Sequence, residues 1–194
     1  MEEALRPLSL RGIEMQIKPA DLFFTTSNSF ISWSIRQRTW GRYSHVQIIV
    51  SAEVKERFFP EKGEKEERKE YIEKTIPEIS VVSADAGGVY CRAIHEDEKN
   101  KYAIMTCPGI TESERDEIVK FCLSQIGKPY DFIGLASFLV YKELQNDNSW
   151  FCSELAYVAY KQAGIRLVRR VQQDFVSPRD LYISPMLQLI EERM

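Results

Sequence analysis

The feature that most constrains this chain is a change of period along it. Short runs rich in Val, Ile, Phe and Tyr occupy the stretch up to residue 107, and apolar stripes at helical spacing occupy most of the remainder. DLFFTT (21–26), HVQIIV (45–50), EISVVSA (78–84), VYCRAI (89–94) and KYAIMTC (101–107) read as strands, the last one stopped by Pro108. DAGG (85–88) is a turn whose glycines can take positive φ, so the third and fourth runs form a hairpin. Residues 45 to 107 are therefore expected to form an antiparallel meander. Before it, SNSFISWSIRQRTWGR (27–42) carries Phe30, Ile31, Trp33, Ser34 and Ile35, which suit one face of a short helix.

The second half is helical. Thr111 and Glu114 make a capping box ahead of a helix running over 114–126, with Ile118, Phe121, Cys122, Leu123 and Ile126 as its apolar stripe and Gly127 as its stop. DFIGLASFLVYKEL (131–144) predicts a second, mostly apolar helix. SWFCSELAYVAYKQAG (149–164) predicts a third, with Ser149 as N-cap and Gly164 at its end. Pro178 and Pro185 frame a turn, and PMLQLIEE (185–192) predicts a short amphipathic helix. Strands in one stretch and helices in another imply an α+β fold: an antiparallel sheet or barrel packed against helices. No internal repeat is present, and 194 residues suit a single domain, 1–194. Residues 53–75 are dense in charges of both signs and read as a solvated insertion. Phe58, Phe59 and Tyr71 also allow a partner-binding or lid role there.

Composition closes off several functions. A net charge of −3 lacks the basic excess of a nucleic-acid binder. Four cysteines, Cys91, Cys107, Cys122 and Cys152, form no CxxC pair, and the chain has only two histidines, His45 and His95, so neither a metal site nor a disulfide framework is expected. No cofactor is implied. The N-terminal residues carry no signal-peptide or membrane-spanning pattern, so the cytoplasm is the expected location.

Cys152 sits in the predicted first turn of a helix, where free N–H groups and the helix dipole favour a thiolate and can also hold an oxyanion. The competing reading is a buried structural cysteine, which suits Cys91, Cys107 and Cys122 better because each lies inside a strand or helix. His45 opens an apolar strand and titrates in the range that lets it take a thiol proton. Alternation puts His45, Gln47 and Ile49 on one strand face. Ser83 and Asp85 share a face of another strand, so Ser83, Asp85 and Gln47 are all candidates to orient the base. His95, in a polar stretch, reads as a solvated residue.

Taken together and in this order, ADLFF, SHVQIIV, VVSADAGGVY, GKPYDFIGL and WFCSELAYVAYKQAGI resemble the NlpC-type papain-like superfamily, and more closely its circularly permuted YiiX-like branch. In unpermuted members a GxPY segment leads into the cysteine helix and the histidine strand comes after it. Here GKPYD and FCSEL come last and SHV first, an order also seen in relatives of lecithin retinol acyltransferase. The resemblance runs from about Pro19 to Ser184, with 53–75 as an insertion. It implies Cys152 as nucleophile, His45 as base and Ser83 as the third polar residue, where relatives often carry Glu, His or Gln. Gln47 is a second departure, since many relatives have a small residue there. Tyr130 matches the PY tyrosine beside the site, and it and Ser153 are implied near the substrate or oxyanion.

The implied activity is a cysteine hydrolase or acyltransferase acting on an amide, ester or peptide bond through a thioester. The apolar segments DFIGLASFLVY and FISW favour an apolar, lipid-like or acylated substrate, with core packing as the competing reading of both; the partners allowed are a small-molecule, lipid-like or peptide substrate and a membrane surface. The alternatives are a non-catalytic lipid- or acyl-binding module with a weakened triad, and an interaction domain built on 53–75.

Overall fold

A computed structural model describes residues 17–26, 30–50, 79–94, 101–131, 149–169 and 176–194. The charged insertion at 53–75, His95 and all but the first residue of the expected helix at 131–144 lie outside the described residues. The elements are β1 (Leu22–Thr25), α1 (Phe30–Thr39), β2 (His45–Val50), β3 (Ser80–Asp85), β4 (Gly88–Ala93), β5 (Tyr102–Thr106), α2 (Glu112–Ser124), α3 (Cys152–Gln162), α4 (Pro178–Tyr182) and β6 (Gln188–Arg193). These six strands form one antiparallel sheet in the order β4-β3-β2-β1-β5-β6.

Alternation along the strands decides how that sheet is covered. Val46, Ile48 and Val50 turn to one face with Leu22 and Phe24, where they meet Ile118 and Cys122 of α2 and Leu155, Ala156 and Ala159 of α3. Phe23, Ile49, Val81, Tyr102 and Ile104 form a smaller cluster on the opposite face. The helical stripe is thus matched to one strand face, as an α+β layer requires. Each fully buried residue such as Ile118 or Leu155 contributes about 1.5–3 kcal/mol.

Helix α2 starts as its sequence requires. The Thr111 side chain accepts from the Glu114 N–H, and the Glu114 carboxylate accepts from the Thr111 N–H at 2.6 Å. Its buried Arg115 donates to the Asp21 carboxylate at 2.9 Å, to the Pro19 carbonyl at 2.7 Å and to Thr106 Oγ1 at 3.2 Å, tying the helix to β1 and β5. Tyr160 of α3 donates to the Ala20 carbonyl at 2.5 Å beside it.

Three expectations are corrected. The meander is broken after β4: β5 pairs with β1, because the outer edge of β4 is taken by the GKPY segment. Val89 N–H donates to the Lys128 carbonyl at 2.9 Å and Gly127 N–H to the Val89 carbonyl at 2.8 Å. The run at 185–192 is no helix. Residues 188–193 form β6 on the free edge of β5, where the unpaired backbone groups of an edge strand take up a short apolar run that periodicity alone leaves ambiguous. Helix α3 begins at Cys152, three residues later than expected, and its N-cap is Phe151, not Ser149. Trp150 is held extended there by a parallel bridge to Tyr130.

Candidate active site

The site forms where β2 and β3 part. Their pairing covers Ile48–Val50 and stops at Ile48 opposite Val82. The Val46 N–H points toward the β3 side, as those of Ile48 and Val50 do, but it lies beyond the end of the ladder. The thiol of Cys152 faces it. The backbone N–H groups of Val46, Ser153 and Cys152 itself, with the Ser153 hydroxyl, are near enough to the thiol to favour its charged form. Helix α3 has no side chain capping its start, so its first-turn N–H groups are directed to the thiol. Cys152 is therefore pinned beside the backbone of the residue that follows His45.

The other side of the same gap is spanned by His45. Its Nε2 lies 2.9 Å from Ser83 Oγ. With the proton placed on Nε2 to satisfy that bond, Nδ1 is left as the basic nitrogen. Tyr90 faces Ser83 across the β3–β4 hairpin, and the Ser83 hydroxyl acts on its phenol as a donor, a minor pull against the burial that raises it. Tyr90 in turn donates to Asp85 Oδ2, while Asp85 Oδ1 accepts from the Gly87 N–H at 3.0 Å.

Burial governs the protonation states. Desolvation lowers His45 to about 4, against the opposing pull of Asp85 and with help from the Arg92 charge. By surface area the residue as a whole is only partly covered, but its ring lies among protein atoms, and the ring is the part that loses water. Desolvation raises the Cys152 thiol to about 11 despite the N–H groups aimed at it. The helix-terminus argument predicts a lowered thiol. Here loss of water outweighs the dipole, and both the thiol and the imidazole rest neutral.

The remaining candidates divide. Tyr130 and Cys152 line one small cleft with Ile35, Phe151, Ser153, Ser177 and Pro178. Burial, with the neighbouring Cys152 and Asp85, raises the Tyr130 phenol far above its ordinary range, which keeps its proton in place. The Ser153 hydroxyl donates to the Val176 carbonyl at 2.7 Å, which ties α3 to the segment before α4, and both its hydroxyl and its backbone N–H act on the Cys152 thiol. Gln47 is fully buried and does not reach His45. Its amide donates to Thr25 Oγ1 at 3.4 Å and accepts from Arg92 at 3.0 Å. Asp85 acts on His45 through its charge, and its carboxylate is held by Tyr90 and the Gly87 N–H.

Sequence reasoning missed Tyr90 and the Val46 N–H. Tyr90 carries a usable signal, because counting outward from a two-residue hairpin loop sets Ser83 opposite Tyr90. The Val46 N–H depends on where two strands separate, for which the sequence carries no signal.

A family model described as permuted papain-like amidase enzyme, YaeF/YiiX, C92 family, matches residues 16–191. Among solved structures, the chain is similar to the crystal structure of metalloprotein yiiX from Escherichia coli O157:H7. The TM-score is 0.64 at 19% identity, over 92% of this chain and 98% of that one, a likeness of fold. No curated protein matches. Among the described residues, no group of three or more His, Cys, Asp and Glu is arranged to hold a metal, and no helix is long and apolar enough to cross a membrane.

Proposed function

This chain belongs to the permuted papain-like amidase family, and on that premise we propose that it cleaves amides of apolar acyl groups with Cys152 as nucleophile, His45 as general base and Ser83 as the residue that orients the base. One observation carries the reading: the His45–Ser83 bond at 2.9 Å favours the tautomer whose Nδ1 can accept the thiol proton. The neutral resting pair favours general-base attack over a standing thiolate. The Cys152 proton passes to His45 Nδ1 as Sγ bonds the substrate carbonyl carbon. The oxyanion that forms is met by the N–H groups at the start of α3 and by the Tyr130 hydroxyl, which burial keeps protonated. The C–N bond then breaks as the imidazolium returns its proton to the leaving amine, and a thioester remains on Cys152. Water attacks that thioester, giving its proton to His45. The C–S bond breaks, Sγ takes the proton back, and the acid leaves. An acceptor amine or alcohol in place of water would make the same site a transferase. Ile35, Phe151 and Pro178 around the cleft support an apolar acyl group rather than a charged one.

The test is a series of fatty-acyl 4-nitroanilides of increasing chain length, with intact-mass detection of the thioester. Wild type is expected to gain one acyl group on Cys152. Cys152→Ala is expected to gain none and to lose turnover. His45→Ala should slow acylation by roughly 100-fold or more, the usual worth of a general base. Turnover that survives in Cys152→Ala would sink the proposal.

A further inference from the structure

We infer that Tyr90 is a positioning residue for His45, linking the Asp85 carboxylate to the imidazole through Ser83. The inference rests on the proposed roles of Cys152 and His45 and adds to them Tyr90, the last residue of VVSADAGGVY, to which the resemblance assigns no role.

The observations are geometric. Ser83 and Tyr90 are opposite one another in the β3–β4 register, and the loop between these strands is Ala86–Gly87. A loop this short fixes the register tightly, so Ser83 and Tyr90 cannot slip past each other without turning their side chains to the other face. Four side chains line up from the imidazole outward: His45 Nε2 lies 2.9 Å from Ser83 Oγ, Ser83 stands opposite Tyr90 in the register, and Tyr90 Oη donates to Asp85 Oδ2. In the arrangement we infer, the Nε2–H goes to Ser83, the Ser83 hydroxyl proton turns to the facing Tyr90, and the Tyr90 proton goes to Asp85. The chain ends on a carboxylate, which is held by the Gly87 N–H on its other oxygen.

A serine alone is a poor orienting group. Its hydroxyl rotates, and as a neutral acceptor it does little to stabilise an imidazolium. Tyr90 removes both weaknesses. By accepting the Ser83 proton it fixes the rotor, so that the serine lone pair faces His45. By donating to Asp85 it lets the carboxylate polarise the chain while staying two groups away from the base. No proton crosses the chain; only His45 changes charge, when the thiol proton reaches Nδ1. The charged groups acting on His45 from the packed strands are Asp85 of β3, which favours the imidazolium, and Arg92 of β4, which disfavours it. Tyr90 burial raises its phenol to about 12, so it remains a donor throughout the neutral range.

A merely structural Tyr90, stapling the hairpin through Asp85, is the alternative to be excluded. The probe is p-nitrophenyl acetate, with the burst of p-nitrophenol reporting acylation of Cys152 and intact mass confirming the adduct. Tyr90→Phe keeps the ring and loses the hydroxyl. It is expected to slow acylation by about tenfold, a fraction of the full general-base effect, and to move the acid limb of the rate profile to lower pH. Ser83→Ala should show a similar loss. The double variant should be no slower than Ser83→Ala, since the chain is already cut. Asp85→Asn, which keeps an acceptor for the Gly87 N–H but removes the charge, should shift the acid limb in the same direction and serves if Tyr90→Phe does not fold. An unchanged rate and acid limb in Tyr90→Phe would overturn the inference. So would a tenfold loss that repeats in full in the Ser83→Ala background, because a structural effect adds where a relay does not. If wild type gives no burst that depends on Cys152, the nucleophile reading falls and takes the relay with it. A normal wild-type burst that the Tyr90 variant leaves untouched sinks the relay alone.

Discussion

Asp21 and Arg115 meet at 2.9 Å inside the fold, whereas Cys152 and His45 are buried beside the same sheet with their charges suppressed. In the first cluster, Arg115 reaches the Asp21 carboxylate, the Pro19 carbonyl and the Thr106 hydroxyl, and Tyr160 closes the neighbouring Ala20 carbonyl. Among the described residues of that cluster, only Arg115 Nε lacks a partner. A buried ion pair this well hydrogen-bonded is settled, with its desolvation largely offset by its own contacts. The second cluster has dipoles around the thiol but no opposite charge close enough to overcome lost water. In the proposed reaction it stays neutral until substrate carbon offers somewhere for the negative charge to go. The difference teaches where each cluster puts its energy: the first into holding α2 against β1 and β5, the second into keeping a thiol and an imidazole uncharged.

The sharpest way to break this contrast is to remove one partner from each cluster. Arg115→Ala leaves Asp21 buried without its cation and is expected to cost about 3–5 kcal/mol, read as a lower urea midpoint at unchanged slope. Cys152→Ala removes a group with no charge to strand and should lower stability by about 1 kcal/mol or less. If the two variants lose comparable stability, the division of labour between the clusters is wrong.

Next in size is the pH response of the site. An imidazole held near 4 in the fold and near 6.5 when unfolded binds its proton first in the unfolded chain. Stability contributed by neutral His45 is therefore fully present above about 6.5 and lost as pH falls toward about 4. Partial exposure of the residue trims the full linkage value to roughly 2–3 kcal/mol at most. Urea midpoints at pH 7, 5.5 and 4.5 in wild type and His45→Gln give the measurement. The wild-type loss over that window should exceed the variant's, and parallel curves would mean that the imidazole is not desolvated.

Much of this was legible in residues, because the relevant physics was local. Thr111 and Glu114 announced the start of α2, and the run ending at Gly164 put Cys152 near a helix start. The β3–β4 hairpin followed from DAGG, and Ser83 stood with Asp85 and Gln47 as a candidate before the family resemblance singled it out. The illegible parts depended on competition between distant segments. β5 went to β1 because Gly127 and Lys128 had already occupied the edge of β4. The 185–192 run became β6 because β5 then had an edge to offer. The thiol pKa depends on how much water the folded site excludes, which no helix-terminus rule contains.

The smallest effect tests how the site is held in place. Gly88 has φ +99, and a Cβ there would stand 2.8 Å from the Lys128 carbonyl. Gly88→Ala therefore meets strain twice, in its own backbone and against the segment that carries Tyr130, and should cost about 1–2 kcal/mol. Gly87→Ala is the control, since a Cβ at that position makes only ordinary contact with Asp85, at 3.5 Å. Lys128 is two residues from Tyr130, and Tyr130 is bridged to Trp150 just before the Cys152 helix. Relief of the clash by moving Lys128 would carry the Tyr130 hydroxyl away from the oxyanion position. The expected result is a several-fold slower acylation of Cys152 in the folded Gly88→Ala protein, with Gly87→Ala near wild type. The Asp21–Arg115 cluster lies apart from this contact, so a second loss of stability from Arg115→Ala should add to that of Gly88→Ala. Additive stabilities with a selective rate loss would mean that the two clusters are built independently. A full acylation rate in Gly88→Ala would mean that Tyr130 does not take its position from the β4 contact.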